Sequence, residues 1–345
     1  MKTLANPYRG TGLAHATLAG VPAPSSDFMA VEALLKLCPH AGVTPLHDAS
    51  DLAAALGVGS VHIKDESNRM GLGSFKALGA AYVVAHLAKV DGRDLSKETF
   101  ITASAGNHGQ SLAVGASAFG AASIVYIAET VPAVFADRLS ALGATVVREG
   151  ATYEDSMAAA AKRANDEGLI LLSDTSWSGY TTLPHRLKEG YTAMMAEVDR
   201  QMSAPTHVFL QAGVGGLACA GAAMVRALWG DDPTVIVVEP EFAPALYASI
   251  QAGGPVVTDG LVSDMGRLDC AEPSLIALKG LAKDADHFQL ITEDEGQAGA
   301  DLAAHHGLAS TTSGAAGLSG LLRADPAYGL DTNSCVLLIL SEGPE

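Results

Sequence analysis

The stretch HVFLQAGVGGLACAGAAM, residues 207–224, decides the fold because its pattern changes from strand to turn to helix. It opens with a short apolar run, passes through Gly213, Gly215 and Gly216, and continues as an Ala-rich apolar segment. A strand that leads through glycines into a helix is typical of α/β proteins, and the first N–H groups of such a helix can hold a phosphate. The stretch therefore predicts a strand–turn–helix unit with an anion site at its turn.

The same alternation of strand-like and helix-like segments repeats along the chain. Segments such as 109–120 and 132–144 show apolar residues at three-to-four spacing and end at glycine, as helices do. Short apolar runs between such helices are typical of parallel sheets that are buried on both faces. The fold class is thus α/β, and the predicted strands are SVHIKDE (60–66), TFITAS (99–104), ASIVYIAE (122–129), LILLSD (169–174), THVFLQ (206–211), TVIVVEP (234–240), FQLIT (288–292) and CVLLILS (335–341).

Length and composition predict a soluble two-domain protein. The chain has 345 residues, of which 48% are hydrophobic, and it contains no Pro/Ser-rich linker, so we expect the second domain to be an insertion. No apolar run reaches the roughly 20 residues of a membrane span, and the first residues lack a secretory pattern, which predicts the cytoplasm. The four cysteines are isolated and are expected to be reduced.

Charge excludes polyanionic partners. The formal net charge of −17 repels nucleic acid and anionic membrane surfaces, and no Lys/Arg-rich run offsets it locally. We therefore expect a small-molecule substrate. No acidic cluster can be assigned to a metal, so no metal site is predicted.

Two segments place reactive or polar groups after predicted strands, where ligands bind in open α/β sheets. In KDESNRMGLGSFKALGAA (64–81), Lys76 follows two glycines and begins an apolar helix; it is either a solvated helix residue or a buried amine that acts as a nucleophile. In TASAGNHGQSLA (102–113), successive backbone N–H groups at a helix start form a nest suited to a carboxylate. Asn107 and His108 there could equally be turn and capping residues.

The remaining segments leave a second class of enzyme open. Gly213, Gly215 and Ala218 also fit the dinucleotide fingerprint G-x-G-x-x-A, and Glu239 closes the next strand about 26 residues further on. Taken alone, this pattern favours a nicotinamide-dependent oxidoreductase. The segments LLSDTSWSGY (171–180), STTSGAAGLSG (310–320) and LILSEG (338–343) are weaker signals, since their Ser, Thr and Asp residues could simply cap helices and turns.

Five motifs in fixed order resemble the fold-type II pyridoxal-phosphate enzymes, which include threonine and serine dehydratases, serine racemase and tryptophan synthase β. The resemblance covers 44–343, and within the family the chain is most similar to diaminopropionate ammonia-lyases because of KDESNRMGLGSFKALGAAY, SDTSWSGY followed by EGY, GRLDCAEPS and the final SEG. The motifs in chain order are T-P-L (44–46), K-D-E-S…S-F-K (64–76), S-A-G-N-H-G-Q (104–110), G-V-G-G-L (213–217) and S-G-A-A-G (313–317).

The resemblance implies a role for each motif residue. Lys76 would hold pyridoxal 5'-phosphate as a Schiff base, and Asn107 would bond the 3'-oxygen of the cofactor. Ser341, or Ser313 as a second possibility, would face the pyridine nitrogen; a neutral hydroxyl there favours elimination. The implied cofactor-binding set is Lys76, Phe75, Asn107, Gly213, Val214, Gly215, Gly216, Leu217, Ser341 and Ser313, and the implied substrate-binding set is Ser104, Ala105, Gly106, Asn107 and His108.

The implied reaction is α,β-elimination of a small 2-amino acid, foremost 2,3-diaminopropionate, to pyruvate and ammonia. The freed Lys76 amine takes the Cα proton. The departing β-amine needs an acid or a carboxylate that binds it as ammonium, and Asp174 is assigned that role. A dehydratase acting on serine or threonine, or a lyase for another β-substituted amino acid, is the alternative; a catalytically silent binding protein and the oxidoreductase are remote ones.

Two residues depart from the family pattern. Ala105 stands where the racemase and a promiscuous ammonia-lyase carry Ser or Asp on the cofactor face opposite the lysine, so we expect preference for the L enantiomer. Thr312 stands where related segments read E-S-G-A, which leaves substrate identity open. By analogy, residues 1–96 and 171–345 form a large cofactor-binding domain, 97–170 form a small inserted domain that holds the substrate carboxylate, and the protein is a homodimer.

Overall fold

The computed structural model of the chain describes residues 2–344. The strands are β1 (Lys2–Ala5), β2 (Leu46–Asp48), β3 (Ser60–Asp65), β4 (Thr99–Ala103), β5 (Ala122–Ile127), β6 (Thr145–Arg148), β7 (Ile170–Leu171), β8 (His207–Gln211), β9 (Thr234–Pro240), β10 (His287–Ile291) and β11 (Cys335–Leu340). The α-helices are α1 (Phe28–Leu35), α2 (Ser50–Leu56), α3 (Ala80–Lys89), α4 (Asn107–Ala118), α5 (Ala133–Ala141), α6 (Tyr153–Glu167), α7 (Thr182–Gly190), α8 (Thr192–Gln201), α9 (Gly216–Trp229), α10 (Ala245–Ala252), α11 (Leu275–Asp284), α12 (Glu293–His305) and α13 (Ala316–Leu322). Short 3₁₀ helices occur at Ala16–Leu18, Arg69–Gly71, Phe75–Leu78 and Pro326–Tyr328.

Seven strands form the larger sheet, in the order β1-β10-β9-β8-β11-β3-β2. The inner strands pair in parallel, whereas the edge strands β1 and β2 run antiparallel to their neighbours. Every residue of β8 is buried, as expected for a strand covered by helices on both faces. The carboxyl ends of β3, β8 and β11 therefore meet at one edge of the sheet.

The smaller sheet has four parallel strands in the order β6-β5-β4-β7. It is built from one continuous stretch of chain, because β4 begins at Thr99 and β7 ends at Leu171. Helices α4, α5 and α6 connect its strands, and α4 also packs on the larger unit, where Ser111 Oγ accepts a hydrogen bond of 3.2 Å from Ala81 N. An inserted domain with boundaries at 97 and 170 stays a prediction.

The predicted α/β architecture is confirmed: the structure contains two mostly parallel sheets flanked by helices. All eight predicted strands are present, as β3, β4, β5, β7, β8, β9, β10 and β11. Strands β1, β2 and β6 were not predicted; all three are short edge strands with little burial. Within residues 2–344, no helix combines the length and the apolarity needed to cross a membrane.

A buried cluster of charged residues connects the segment before β2 to β3 and α8. Lys64 Nζ lies 2.6 Å from Glu197 Oε2, and the Arg69 guanidinium bonds both Glu197 and Glu66. Thr44 Oγ1 donates to Glu66 Oε1 over 2.6 Å. Residues of the T-P-L and K-D-E-S motifs thus serve a structural purpose, since they fix the chain that leads to Lys76.

Candidate active site

Lys76 lies at the carboxyl edge of the larger sheet, in the 3₁₀ helix Phe75–Leu78. Ser74 caps this helix, and its Oγ accepts a bond of 3.3 Å from Lys76 N. The loop is tied to the end of β11 because Phe75 N donates to Ser341 O over 3.0 Å. The Phe75 ring packs edge-on against Tyr191, with centroids 4.8 Å apart. The Lys76 amine is therefore held where β3 and β11 end.

Asp174 reaches the same point from the loop that follows β7. Its carboxylate accepts a hydrogen bond from Lys76 Nζ, and both side chains are mostly buried. Burial opposes ionisation of Asp174, but Lys76, His108 and Lys188 outweigh it and hold the pKa of this carboxyl well below its ordinary value. Asp174 is thus an ionised carboxylate beside the reactive amine.

Serine side chains connect the Asp174 loop to the glycine turn before α9. Ser176 Oγ lies 2.7 Å from Ser274 Oγ and accepts a bond of 3.0 Å from Ile276 N. Ser274 N in turn donates to Val214 O over 3.0 Å. Asp174 and the glycine turn are therefore positioned by one set of hydrogen bonds.

The glycine turn 213–216 carries no bulky side chain at the start of α9, so the first N–H groups of that helix are accessible to a ligand. Gly215 has φ +89°, and a Cβ at Gly213 would lie 2.9 Å from Leu268 Cα, so side chains are excluded at both positions. No side chain caps α9, and among residues 2–344 none accepts a hydrogen bond from the N–H groups of Gly216 and Leu217. Free N–H groups at a helix start attract an anion.

A second helix start with free backbone N–H groups is that of α4, which follows β4 of the smaller sheet. Gly106 N donates to Ser104 Oγ over 3.3 Å, which turns the chain between β4 and α4 beside Ala105. Within the described chain, the N–H groups of Asn107 and His108 have no acceptor. The His108 side chain is buried, its Nε2 donates to Leu172 O over 2.8 Å, and burial lowers its pKa.

Three residues of the predicted cofactor-binding set, Asn107, Ser313 and Ser341, lie near Glu342. The sequence analysis had assigned no role to Glu342. The Asn107 amide and the Thr311 hydroxyl both donate to the buried Glu342 carboxylate. Ser341 and Ser313 are buried close by; Ser313 Oγ accepts a bond of 3.1 Å from Arg267 N. Thr312 lies apart and donates to Asp264 O over 3.4 Å. Which serine faces the pyridine nitrogen stays a prediction.

Lys188 and Tyr191 are further residues that sequence reasoning missed. Both are fully buried beside the glycine turn: a Cβ at Gly216 would lie 3.5 Å from Tyr191 Cε2 and 3.8 Å from Lys188 Cε. Tyr191 was noted only as part of EGY (189–191), through the resemblance, and Lys188 was not noted at all. A lysine near the end of a helix ordinarily extends into solvent, so no local signal indicated that Lys188 faces the site.

Glu239 is not placed to bind a ribose. Its two carboxylate oxygens accept hydrogen bonds of 2.7 and 2.8 Å from Leu246 N and Tyr247 N at the start of α10. Burial raises the pKa of this carboxyl to about 8. Glu239 is thus a buried helix cap, which removes the acidic residue on which the dinucleotide interpretation depended.

A lysine at the carboxyl edge of the larger sheet and helix starts at α9 and α4 whose first N–H groups can bind an anion fit pyridoxal phosphate. The chain belongs to the family of pyridoxal-phosphate dependent enzymes, whose model matches residues 37–342, and pyridoxal phosphate is its cofactor. A relative from Salmonella typhimurium, diaminopropionate ammonia-lyase, is 36% identical in an alignment 276 residues long, and the match covers 72% of this chain and 68% of the relative.

Two further comparisons agree with this assignment. The structure of Escherichia coli diaminopropionate ammonia lyase, in complex with an aminoacrylate-PLP azomethine reaction intermediate, superposes with a TM-score of 0.88 at 27% identity and covers 99% of this chain and 93% of that one. A mouse L-serine dehydratase/L-threonine deaminase is 30% identical over 225 residues, 64% of each chain.

Proposed function

We propose that this protein is a lyase that eliminates the β-amine of 2,3-diaminopropionate, with preference for the L form. One water is consumed, the Cβ–N bond breaks, and the products are pyruvate and two molecules of ammonia. The observation that carries the proposal is the pair of Lys76 and an ionised Asp174 between two helix starts that can each hold an anion. Relatives with this activity support it.

Pyridoxal phosphate, when bound, supplies an electron sink for the charge that develops at Cα. In our proposal Lys76 anchors the cofactor covalently, and the glycine turn 213–217 holds its phosphate through backbone N–H groups. Phe75 packs beside the ring, Asn107 bonds the 3'-oxygen, and Ser341 or Ser313 faces the pyridine nitrogen. The Asn107 amide, now bonded to Glu342, would shift between two acceptors within the same cleft.

The nest at 104–108 would hold the substrate carboxylate. Its N–H groups at the start of α4 provide both hydrogen bonds and the positive end of the helix dipole. This places the carboxylate on the smaller sheet and the phosphate on the larger one, so we infer that the substrate binds between an inserted domain at 97–170 and the rest of the chain. Movement of that domain would exclude water from the site.

Lys76 and Asp174 would share the proton transfers. The Lys76 amine, once released by the substrate, takes the Cα proton. The Asp174 carboxylate, freed from Lys76, binds the β-ammonium and keeps it protonated, because an amine leaves readily only as the ammonium form. Ala105 has no group that moves a proton on the other face, which is the basis of the L preference.

The test is a substrate screen with the purified holoenzyme. Production of ammonia and 2-oxo acid is measured with both enantiomers of 2,3-diaminopropionate, serine and threonine. The proposal expects the highest kcat/KM for L-2,3-diaminopropionate. A higher value for serine or threonine would make the protein a dehydratase, and no turnover with intact cofactor binding would favour a catalytically silent protein.

A further inference from the structure

Lys188 is a buried cation that the proposed chemistry does not use. It lies in the last turn of α7 and is 1% exposed. Among the described residues 2–344, its ammonium makes one hydrogen bond, of 2.8 Å, to the backbone oxygen of Asp174. An ammonium has three donors, and a buried charge with a single carbonyl partner is costly to a folded protein.

No carboxylate of the described chain is paired with Lys188. The Asp174 carboxylate is engaged by Lys76, and the neighbouring Glu189 is engaged by Ser25, Tyr82 and Arg186. Burial, the largest influence, and the nearby Lys76 lower the pKa of Lys188 to about 8, although Cys219 and Asp174 act in the opposite direction. The one Asp174 carboxylate thus acts on both Lys76 and Lys188, and no carboxylate within residues 2–344 is hydrogen-bonded to the Lys188 ammonium.

The side chain of Lys188 lies against the start of α9. Its Cε would be 3.8 Å from a Cβ at Gly216, the first residue of that helix, and Cys219 lies in the first turn above. The N–H groups of Gly216 and Leu217 have no hydrogen-bond acceptor within residues 2–344. A phosphate bound to these N–H groups would come next to the Lys188 ammonium.

We propose that Lys188 is the counter-ion of the cofactor phosphate. The backbone N–H groups supply geometry but only partial charge, and Lys188 supplies the full positive charge that a buried phosphate dianion needs. The inference rests on the proposed function, because it takes the glycine turn as the phosphate site. It adds a binding residue that lies outside the glycine motif and comes from a different helix.

The test compares two ligands that differ only in the phosphate. Apoenzyme is titrated with pyridoxal phosphate and with pyridoxal, for wild type and for Lys188→Met, Lys188→Arg and Lys279→Met, and Kd is read from absorbance. Lys279 is a matched control, because within the described part of the chain its ammonium also donates only to backbone oxygens, those of Leu18 and Val21. Competition by inorganic phosphate gives a second readout without covalent linkage.

We expect Lys188→Met to weaken binding of pyridoxal phosphate at least about 30-fold while binding of pyridoxal stays unchanged. Lys188→Arg should keep most of the preference for the phosphorylated ligand, and Lys279→Met should keep all of it. Equal loss for both ligands, or loss for neither, would overturn the proposal. Failure of wild type to bind pyridoxal phosphate at all would instead refute the proposed function.

Discussion

The Lys76 ammonium donates a hydrogen bond to the Asp174 carboxylate across 98 positions of sequence. Lys76 lies after β3 at the carboxyl edge of the larger sheet, whereas Asp174 lies after β7, the last strand of the smaller sheet in chain order. The pair therefore joins the two sheets at the point where substrate would bind. Because Asp174 is ionised there, it is suited to bind an ammonium group and does not carry a proton to donate.

Replacing Asp174 by Asn should impair elimination in a way that depends on the leaving group. We expect kcat for 2,3-diaminopropionate to fall about 10²- to 10³-fold, since the β-amine loses its ammonium-binding partner. A β-chloro substrate should lose much less, because chloride leaves without a proton. Steady-state release of 2-oxo acid measures both, and equal losses would assign Asp174 to a step common to both substrates.

Replacing Lys76 by Ala should remove all elimination activity. The wild-type protein with cofactor should show an absorption band near the edge of the visible range that disappears on borohydride treatment, and the variant should lack the band. Lys89→Ala, on the exposed end of α3, is the control and should keep it. A band and turnover that persist without Lys76 would contradict its assignment as anchor and base.

Ala105 should make the enzyme selective between enantiomers. Loss of a general base lowers the rate of a proton transfer by about 10²-fold or more. The Cα proton of the D form would face Ala105, so D-2,3-diaminopropionate should be turned over at least about 100-fold more slowly than the L form. Ala105→Asp should raise the rate with the D form by providing a proton acceptor opposite Lys76. Comparable rates for both enantiomers with the wild-type protein would refute this expectation.

The sequence predicted the inner strands but not the edges of the sheets. Inner strands such as β8 and β11 are buried on both faces, so they appear as continuous apolar runs. The edge strand β6 has the sequence TVVR and no fully buried residue, and β2 has only three residues. Such segments owe their structure to pairing with a neighbour, which a local pattern does not record.

Motifs with glycine or a reactive residue revealed the site only in part. Lys76 and the glycine turn carry local signals, and Asp174 was found through a resemblance. Glu342 and Lys188 carry none, since each depends on tertiary contacts: Glu342 with Asn107 and Thr311, and Lys188 with the start of α9. Conversely, Glu239 fitted a motif but is a buried helix cap.

Glu197 should be important for stability but not for chemistry. Glu197→Ala would leave the buried Lys64 and Arg69 with an uncompensated charge, and we expect the free energy of unfolding to fall by about 3–5 kcal/mol. Urea unfolding measures this change. Glu167→Ala, which removes an exposed pair with Arg163 on α6, is the control and should leave the midpoint unchanged. A similar small effect for Glu197 would contradict a structural role of the cluster.

Lys188 should leave a signature in the pH dependence of apoenzyme stability. Its pKa is about 8 in the folded protein, mainly through burial, against an ordinary value of 10.5. Between pH 8 and 10.5 the unfolded chain binds a proton that the folded chain does not. The free energy of unfolding therefore rises with pH across this range, because the neutral Lys188 amine is easier to bury than the ammonium. This stabilisation is complete above pH 10.5 and is lost as the pH falls through about 8.

The free energy of unfolding of wild type, relative to Lys188→Met, should therefore rise by about 3 kcal/mol from about pH 8 to 10.5. Subtracting the profile of Lys188→Met from that of wild type removes the contributions of the other titrating groups. Lys279→Met is the matched control, and its profile should run parallel to that of wild type. Pyridoxal phosphate should shift the rise to higher pH, because its phosphate keeps the ammonium protonated, whereas pyridoxal should not. Parallel profiles for wild type and Lys188→Met would show that Lys188 is not a buried, uncompensated cation.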